Sequence, residues 1–355
     1  MIMSDISCCA CTCEREQGWN WSDGCVDAGV GRVPLVKTNW TAHDLLGAWA
    51  VRWGIGRMRY TVPPGLYAVG APTPDSPVLV TANYKLSFDH VRRALAGFDA
   101  WVLVLDTMGV NVWCAAGKGT FGTDELVGRL KSSAVAKMVG HRKLVVPQLG
   151  APGVSANEVS RRSGFQVIYG PVYARDLPAF LQAGLRATPA MRRVGFSLRE
   201  RLAVTPIELV HRFMPAMIVL ALFVALSGLG RHGYGLEAGL CGWIAMAVVC
   251  NMLAGIVLTP ALLPWLPGRA FALKGAVTGL ALGVALAWLW PFGWLAGVSV
   301  GLLSVAACSF LGLMFTGCTP YTSASGVRSE MRWALPAQGA LAVVALTGWL
   351  AARFV

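Results

Sequence analysis

The sequence predicts two unlike parts: an α/β domain of Rossmann-like pattern, then an all-α domain of five transmembrane helices. Three observations carry this. Short apolar runs of strand type alternate with amphipathic stretches up to about residue 190. Long runs without any charge fill the C-terminal part. The charge itself is unevenly divided, with 22 Lys+Arg and 15 Asp+Glu in the first 200 residues against 8 and 3 in the rest. Over 355 residues the chain is 55% hydrophobic and 14% charged, with a mean hydropathy of +0.56 and a net charge of +12. Soluble domains carry about a quarter charged residues, so an ordinary soluble enzyme is disfavoured. Intrinsic disorder is excluded, because it requires low hydrophobicity. Excess positive charge suits either a nucleic-acid binder or a membrane protein with basic flanks; hydropathy selects the second, and no nucleic-acid partner is expected.

Residues 1–30 form a Cys-rich tail, read as disordered. Its first 20 residues have no apolar core, so no signal peptide is expected. The α/β domain occupies 31–190. Runs suited to buried strands are Pro77–Thr81, Trp101–Leu105, Leu144–Pro147 and Val167–Tyr169, separated by amphipathic stretches at 87–98, 123–139 and 155–163, with 176–187 after the last. Such alternation points to a parallel sheet, whose ligand site forms at the carboxyl ends of the strands. The segments there are Thr81–Lys85, Asp106–Gly109, Pro147–Gly153 and Gly170–Val172, rich in Gly, Pro and small polar residues as backbone approach to a broad flat ligand requires.

A basic linker or juxtamembrane helix at 191–212 leads to the transmembrane domain, 213–355. The runs 213–230, 238–268, 275–327 and 333–352 contain no Asp, Glu, Lys or Arg. A span needs roughly 20 apolar residues, and Trp290-Pro291-Phe292-Gly293 divides the longest run at a turn. Five helices are therefore expected near 213–230, 238–258, 271–290, 292–315 and 334–352. Arg269, Lys274, Arg328 and Arg332 fall on the side of the N-terminal domain, as do Arg192, Arg193, Arg199, Arg201 and Arg212, whereas only Arg231 and Arg353 fall opposite. The positive-inside rule makes this a multi-pass protein of the cytoplasmic (inner) membrane with its α/β domain in the cytoplasm. Gly275, Gly279 and Gly283 allow close helix packing, and no Asp or Glu lies inside a span.

After the second strand comes Asn111-Val112-Trp113-Cys114-Ala115-Ala116-Gly117-Lys118-Gly119. It is not a Walker A loop, because Val112 replaces the leading Gly and Gly119 follows Lys118 in place of Ser or Thr. No nucleophile-elbow serine is present. What remains is a Cys in a short helix ended by Gly117, and by residue type alone such a Cys is more often a small buried hydrophobe than a ligand.

Asn111–Lys118 resembles the cap-helix motif of the corrinoid protein of microbial mercury methylation (the HgcA family). Val51–Arg57, Gly65–Gly70, Val80–Lys85, Pro147–Gly153, Phe315–Cys318, Tyr321–Ser323 and Ser325–Val327 look like further segments of that family, so the resemblance runs over about 30–330. The large subunit of the corrinoid iron–sulfur protein is related through its corrinoid domain but lacks the Cys and the membrane tail.

The resemblance implies a corrinoid-binding α/β domain holding a cobalamin-type corrinoid base-off, with Cys114 as the catalytic residue and lower axial cobalt ligand. A soft thiolate pushes electron density toward the trans methyl group, as transfer of methyl to the soft electrophile Hg(II) requires. Val112, Trp113, Ala115, Ala116 and Gly117 complete the motif, with Trp113 packing near the corrin or simply in the core. Asn111 and Lys118 would fix the helix ends or contact corrin amides, Thr81 would hydrogen-bond near the cobalt face, and Gln148, Gly150 and Gly170 would line the cofactor from the later strand ends. Implied partners are a two-cluster [4Fe-4S] ferredoxin, as electron donor and Hg(II) donor, and a methyl donor protein or methyltetrahydrofolate.

Cys8, Cys9, Cys11 and Cys13, with Cys25 beyond them, are read as thiols available for Hg(II) capture, since disulfides do not persist in the cytoplasm. Cys241, Cys250 and Cys308 are read as small residues within spans, and Cys318 as a loop residue near the membrane. Two alternatives stay open: a corrinoid methyl carrier of the acetyl-CoA pathway type, and a five-helix transporter with a soluble regulatory domain.

Overall fold

Strands β1 (Ser22–Asp27) and β2 (Arg32–Val36) pair antiparallel and lead to helix α1 (Ala42–Arg52) in the computed structural model, which describes residues 19–29, 31–318 and 322–355. There follow β3 (Gly65–Val69), β4 (Val78–Ala82), α2 (Lys85–Ala94), β5 (Ala100–Leu105), α3 (Val112–Lys118), α4 (Thr123–Ser132), α5 (Val135–Met138), β6 (Lys143–Val146), α6 (Ala156–Ser163), β7 (Gln166–Tyr169) and α7 (Leu177–Gln182). The chain falls into two units, one of Met1–Val51 and Ile55–Val194, the other of Arg52–Gly54 and Gly195–Val355.

The first unit holds a seven-stranded sheet in the order β1-β2-β3-β5-β4-β6-β7. The four strands expected from sequence are β4 to β7, and they pair parallel. The sheet is nevertheless mixed, because β3 runs antiparallel to β5 and β1 antiparallel to β2. Part of the segment read as a disordered tail is thus a strand, since Ser22–Asp27 finds a hydrogen-bonding partner in β2. The expected helix over 123–139 is divided at Ala134, whose φ of 48° lies in the left-handed region. Cys25 is disulfide-bonded, where the sequence reading counts it among the thiols.

Alternation along β4 sends successive side chains to opposite faces. Val78, Val80 and Ala82 join one core with Val112, Ala115, Ala116 and Leu126. Leu79 joins the other, with Phe88, Leu95 and Phe180. At the edge of this second core lies a buried ion cluster. Lys85 Nζ sits 2.7 Å from both Asp44 Oδ1 and Asp89 Oδ2; Arg92 reaches Asp44 Oδ2 at 2.8 Å and Asp89 Oδ1 at 2.7 Å. Arg92 Nη1 also donates to the carbonyls of Lys37 and Asn39, at 2.7 and 3.1 Å. Two cations balance two carboxylates, and α1 is locked to α2. Burial acts to raise the Asp44 pKa, but bonds from Lys85, the Thr41 N–H and Arg92 outweigh it and hold the carboxyl well below its usual range.

The second unit comprises α8 (Leu198–Ala203), α9 (Thr205–Ser227), α10 (Ala238–Leu253), a π-helical turn (Ala254–Leu258) running into α11 (Thr259–Leu262), α12 (Phe271–Leu289), α13 (Trp294–Met314) and α14 (Ala324–Ala351). Five helices are long and apolar enough to cross a membrane: Leu198–Ser227, Ala238–Leu262, Phe271–Leu289, Trp294–Gly317 and Ser325–Ala351. The first and last begin well before the charge-free runs that announce them, because helical hydrogen bonding continues into the charged flanks around Arg212 and Arg332. The turn expected at Trp290–Gly293 joins α12 to α13, with Gly293 at φ 91°.

Backbones of α12 and α13 meet along a glycine seam. A Cβ on Gly279 would lie 2.5 Å from the Ser304 carbonyl oxygen, one on Gly283 2.5 Å from that of Gly301, and one on Gly275 against that of Cys308. Such close approach is what small residues allow between helices in lipid.

Arg92→Met removes one of two cations from the buried cluster and is expected to cost about 3–5 kcal/mol, read as a lower thermal midpoint in detergent. Because the Asp44 pKa is depressed, the contribution of that carboxylate is full above the ordinary Asp range near about 4 and is lost as pH falls below it. An acid titration of wild-type stability should show that slope. Gly279→Leu should part α12 from α13 and sharply reduce the monodisperse fraction in size-exclusion chromatography.

Candidate functional site

At the carboxyl end of β4, Asn83 links two strand ends. Its Oδ1 accepts from Thr107 N at 3.1 Å, Thr107 Oγ1 at 2.8 Å and Gly109 N at 3.0 Å, while its Nδ2 donates to Asp106 Oδ1 at 3.1 Å. The Val110 carbonyl oxygen lies 2.6 Å from the same Thr107 Oγ1, so the two acceptors share its one hydroxyl proton. The β5–α3 loop is thereby held turn by turn, with Met108 at φ 56° and its N–H donating to Asp106 Oδ1 at 3.0 Å.

That loop launches α3. Asn111 caps it, its Oδ1 accepting from Cys114 N at 2.9 Å. Gly119, at φ 84°, closes it, two residues beyond the end expected at Gly117, because Gly119 is the residue that adopts the left-handed cap. Val112, Ala115 and Ala116 are buried, so the helix is seated by one narrow stripe. Trp113, Cys114, Gly117 and Lys118 face outward. Cys114 is an exposed free thiol, not the buried hydrophobe that residue type alone favours, and Trp113 is 42% exposed rather than packed in the core.

The segment after β6 supports α3 from the side. A Cβ on Gly153 would strike the Phe121 carbonyl oxygen and lie 3.1 Å from Ala116 Cα. Thr123 N donates to the Gly153 carbonyl at 3.1 Å, and Ser155 N to Thr123 Oγ1 at 2.9 Å.

Beside α3 a cavity of about 460 Å³ lies along the sheet. Of the residues expected at a cofactor, Thr81, Asn111, Val112, Trp113 and Gly170 line it. Ala115, Ala116 and Gly150 instead serve packing; a Cβ on Gly150 would lie 2.5 Å from the Phe121 ring. Gln148 Oε1 accepts from Arg192 Nη1 at 3.0 Å. Cys114, Gly117 and Lys118 lie on the outward side of α3. Sequence reading missed Ser87 and His90 from α2 and Arg175, further polar residues that line the same cavity. Their position follows only from the fold, since no local motif marks them. It also missed Asn83 as a hub, although the residue stands in a segment it singled out. Cys8, Cys9, Cys11 and Cys13 lie outside the described residues, and Cys318 closes the short turn Phe315–Cys318.

Residues 55–181 match the family described as CO dehydrogenase/acetyl-CoA synthase delta subunit. Among curated proteins, the acetyl-CoA decarbonylase/synthase complex subunit gamma of Methanopyrus kandleri is 35% identical over 123 residues, covering 34% of this chain and 26% of that protein. The corresponding subunit of Archaeoglobus fulgidus is 32% identical over the same coverage. Subunit gamma 2 of Methanosarcina mazei is 32% identical over 121 residues, 33% of this chain and 25% of that one. The chain thus spans about a quarter of the length of these relatives, and the match supports the related-family part of the resemblance.

Asn83→Ala would leave the Thr107 and Gly109 N–H groups without their acceptor, at a cost of about 1–3 kcal/mol. Hydrogen exchange should accelerate selectively over 106–118, leaving β6 and β7 protected.

Proposed function

We propose that this chain is a membrane-anchored, corrinoid-dependent methyltransferase that transfers a methyl group to Hg(II), and that Cys114 is the residue that would hold the cobalt. The observation that carries the reading is the exposed Cys114 thiol in the first turn of a capped seven-residue helix at the parallel strand ends.

The surroundings of α3 suit a flat, largely apolar ring with polar side arms, although Cys114 itself stands on the exposed face of the helix and is not among the residues lining the cavity. Trp113 offers an exposed indole face, and Thr81, Pro147 and Gly170 offer a low floor between α3 and the strand ends. A Cβ on Gly170 would lie 3.0 Å from Val145 Cγ1, so nothing larger than Gly fits there without displacement. Ser87, His90 and Arg175 supply hydrogen-bonding groups around the cavity. When bound, the corrinoid supplies a cobalt-held methyl group that can leave with its electron pair.

The protein's own part is ligation and placement. Cys114 would offer the cobalt a soft, strongly donating sulfur, the ligand type suited to releasing methyl toward a soft electrophile. Asn111 fixes the turn that carries it, and the buried stripe of Val112, Ala115 and Ala116 prevents the helix from lifting. Lys118, in the last turn, places positive charge where the helix dipole favours it and within the exposed face of the motif. Reduction is assigned to a two-cluster ferredoxin, which also delivers Hg(II), and remethylation to methyltetrahydrofolate or a methyl donor protein. The five apolar helices serve as the inner-membrane anchor.

One observation favours a second reading. Residues 55–181 are similar to subunits of acetyl-CoA decarbonylase/synthase complexes, which supports a corrinoid methyl carrier that passes methyl to another metal centre. Cys114 separates the two, because a carrier serving a nucleophilic acceptor gains nothing from a thiolate that favours carbanion-like release.

The test combines the full chain, a methylated corrinoid, a reduced two-cluster ferredoxin and Hg(II), and measures methylmercury for wild type and Cys114→Ala. The variant is expected to lose both methylmercury formation and the thiolate feature of the bound corrinoid spectrum. Wild-type yield from Cys114→Ala would sink the mechanism, and methyl delivered to a complex subunit but never to Hg(II) would favour the carrier.

A further inference from the structure

Helix α1 is amphipathic in an unusual sense. Its inward stripe is Asp44, Ala48 and Val51. Its outward face carries Leu45, Leu46 and Trp49, with Leu46 68% exposed. The chain then presents Ile55 and Met58, the latter 69% exposed. A run of large apolar side chains this dense is rare on a surface that meets only water.

The charges around the patch have one sign. Between residues 41 and 60 the basic side chains are Arg52, Arg57 and Arg59, with His43 at the start of the helix, and the single acid is Asp44. Asp44 is fully buried and paired with Lys85 and Arg92, so the outward surface has no carboxylate of its own. Arg59 is exposed, and Arg57 spends one Nη on the Val51 carbonyl at 3.4 Å while its guanidinium lies over the Tyr84 ring. Apolar and aromatic side chains bordered by arginine match the boundary between acyl chains and anionic headgroups.

Two further facts point to lipid rather than to a protein partner. The region shared with complex subunits begins at residue 55, which leaves Leu45, Leu46 and Trp49 outside it. The unit that carries α1 ends at Val194, and the first spanning helix begins within a few residues, at Leu198. The α/β unit is therefore joined by a short connection to the first apolar helix, and such tethering raises the local concentration of the unit at a bilayer.

We infer that the outward face of α1, with Ile55 and Met58, is a membrane-interface contact that inserts into anionic lipid and fixes the α/β unit at the bilayer surface. The inference rests on the membrane-spanning reading of the second unit and is independent of the corrinoid reading.

The test uses the full chain in vesicles of phosphatidylethanolamine and phosphatidylglycerol. They are doped with a phospholipid carrying a diazirine near its glycerol backbone. Photolysis and peptide mapping are expected to place lipid adducts on the 42–58 peptide as well as on the spanning helices. In the Leu45→Glu/Leu46→Glu variant the 42–58 adducts should fall about tenfold while labelling of the spans is unchanged. Both leucines are exposed, so the fold is retained, and unchanged hydrogen-exchange protection of β4 and β5 verifies it. Labelled spans with an unlabelled 42–58 peptide would overturn the inference, as would equal labelling in the double variant. Protection of α1 that persists in lipid-free detergent would also overturn it, because a protein surface would then be the cover. Unlabelled spans would overturn it together with the membrane reading, and would leave the Cys114 experiment standing.

Discussion

One side-chain amide decides where the candidate chemistry can happen. Asn83 stands at the end of β4 and spends its oxygen on three donors of the β5–α3 loop. Those bonds set the direction in which the chain leaves the sheet, and so the placement of α3, Asn111 and Cys114. Buried backbone N–H groups must find acceptors, and here one residue supplies several of them at once. The loop has little freedom left, which is why Met108 can be held at positive φ without a glycine.

The buried ion cluster does a comparable task on the other side of the sheet. A pair of cations between a pair of carboxylates gains little net stability over an apolar core, but it is costly to break. Its effect is therefore to specify. Asp44 must meet Lys85 and Arg92, so α1 can dock in only one register, and its leucines must point outward.

Much of the architecture was legible in the sequence because it follows from periodicity. The parallel strands β4 to β7 are continuous apolar runs, as strands buried on both faces must be, and each of the long C-terminal helices is announced by a charge-free run within it. Strand β1 was not legible, since Ser22–Asp27 is mostly polar, buries no residue fully and becomes a strand only through β2. Strand β3 was passed over because it enters from Gly65 and owes its direction to β5. At the site, Asn111 announces the start of α3 through ordinary capping chemistry, while the end was misplaced because two glycines compete and only the backbone chooses between them. His90 and Arg175 carried no local signal, and Asn83 stood in a strand-end segment that said nothing of its role as a hub. Asn83 meets partners more than 20 positions away, and such meetings are products of topology.

The glycine seam between α12 and α13 has a consequence for how this part of the chain can change. Where carbonyl oxygens of one helix rest against the Cα atoms of another, cohesion comes from dispersion and weak C–H···O contacts. Neither depends on expelling water, so both keep their strength inside hydrocarbon. The side chains on the outer faces of the two helices contribute little to holding them together. Substitution there can drift among apolar residues over evolutionary time, while Gly275, Gly279 and Gly283 cannot acquire even a methyl group without parting the pair.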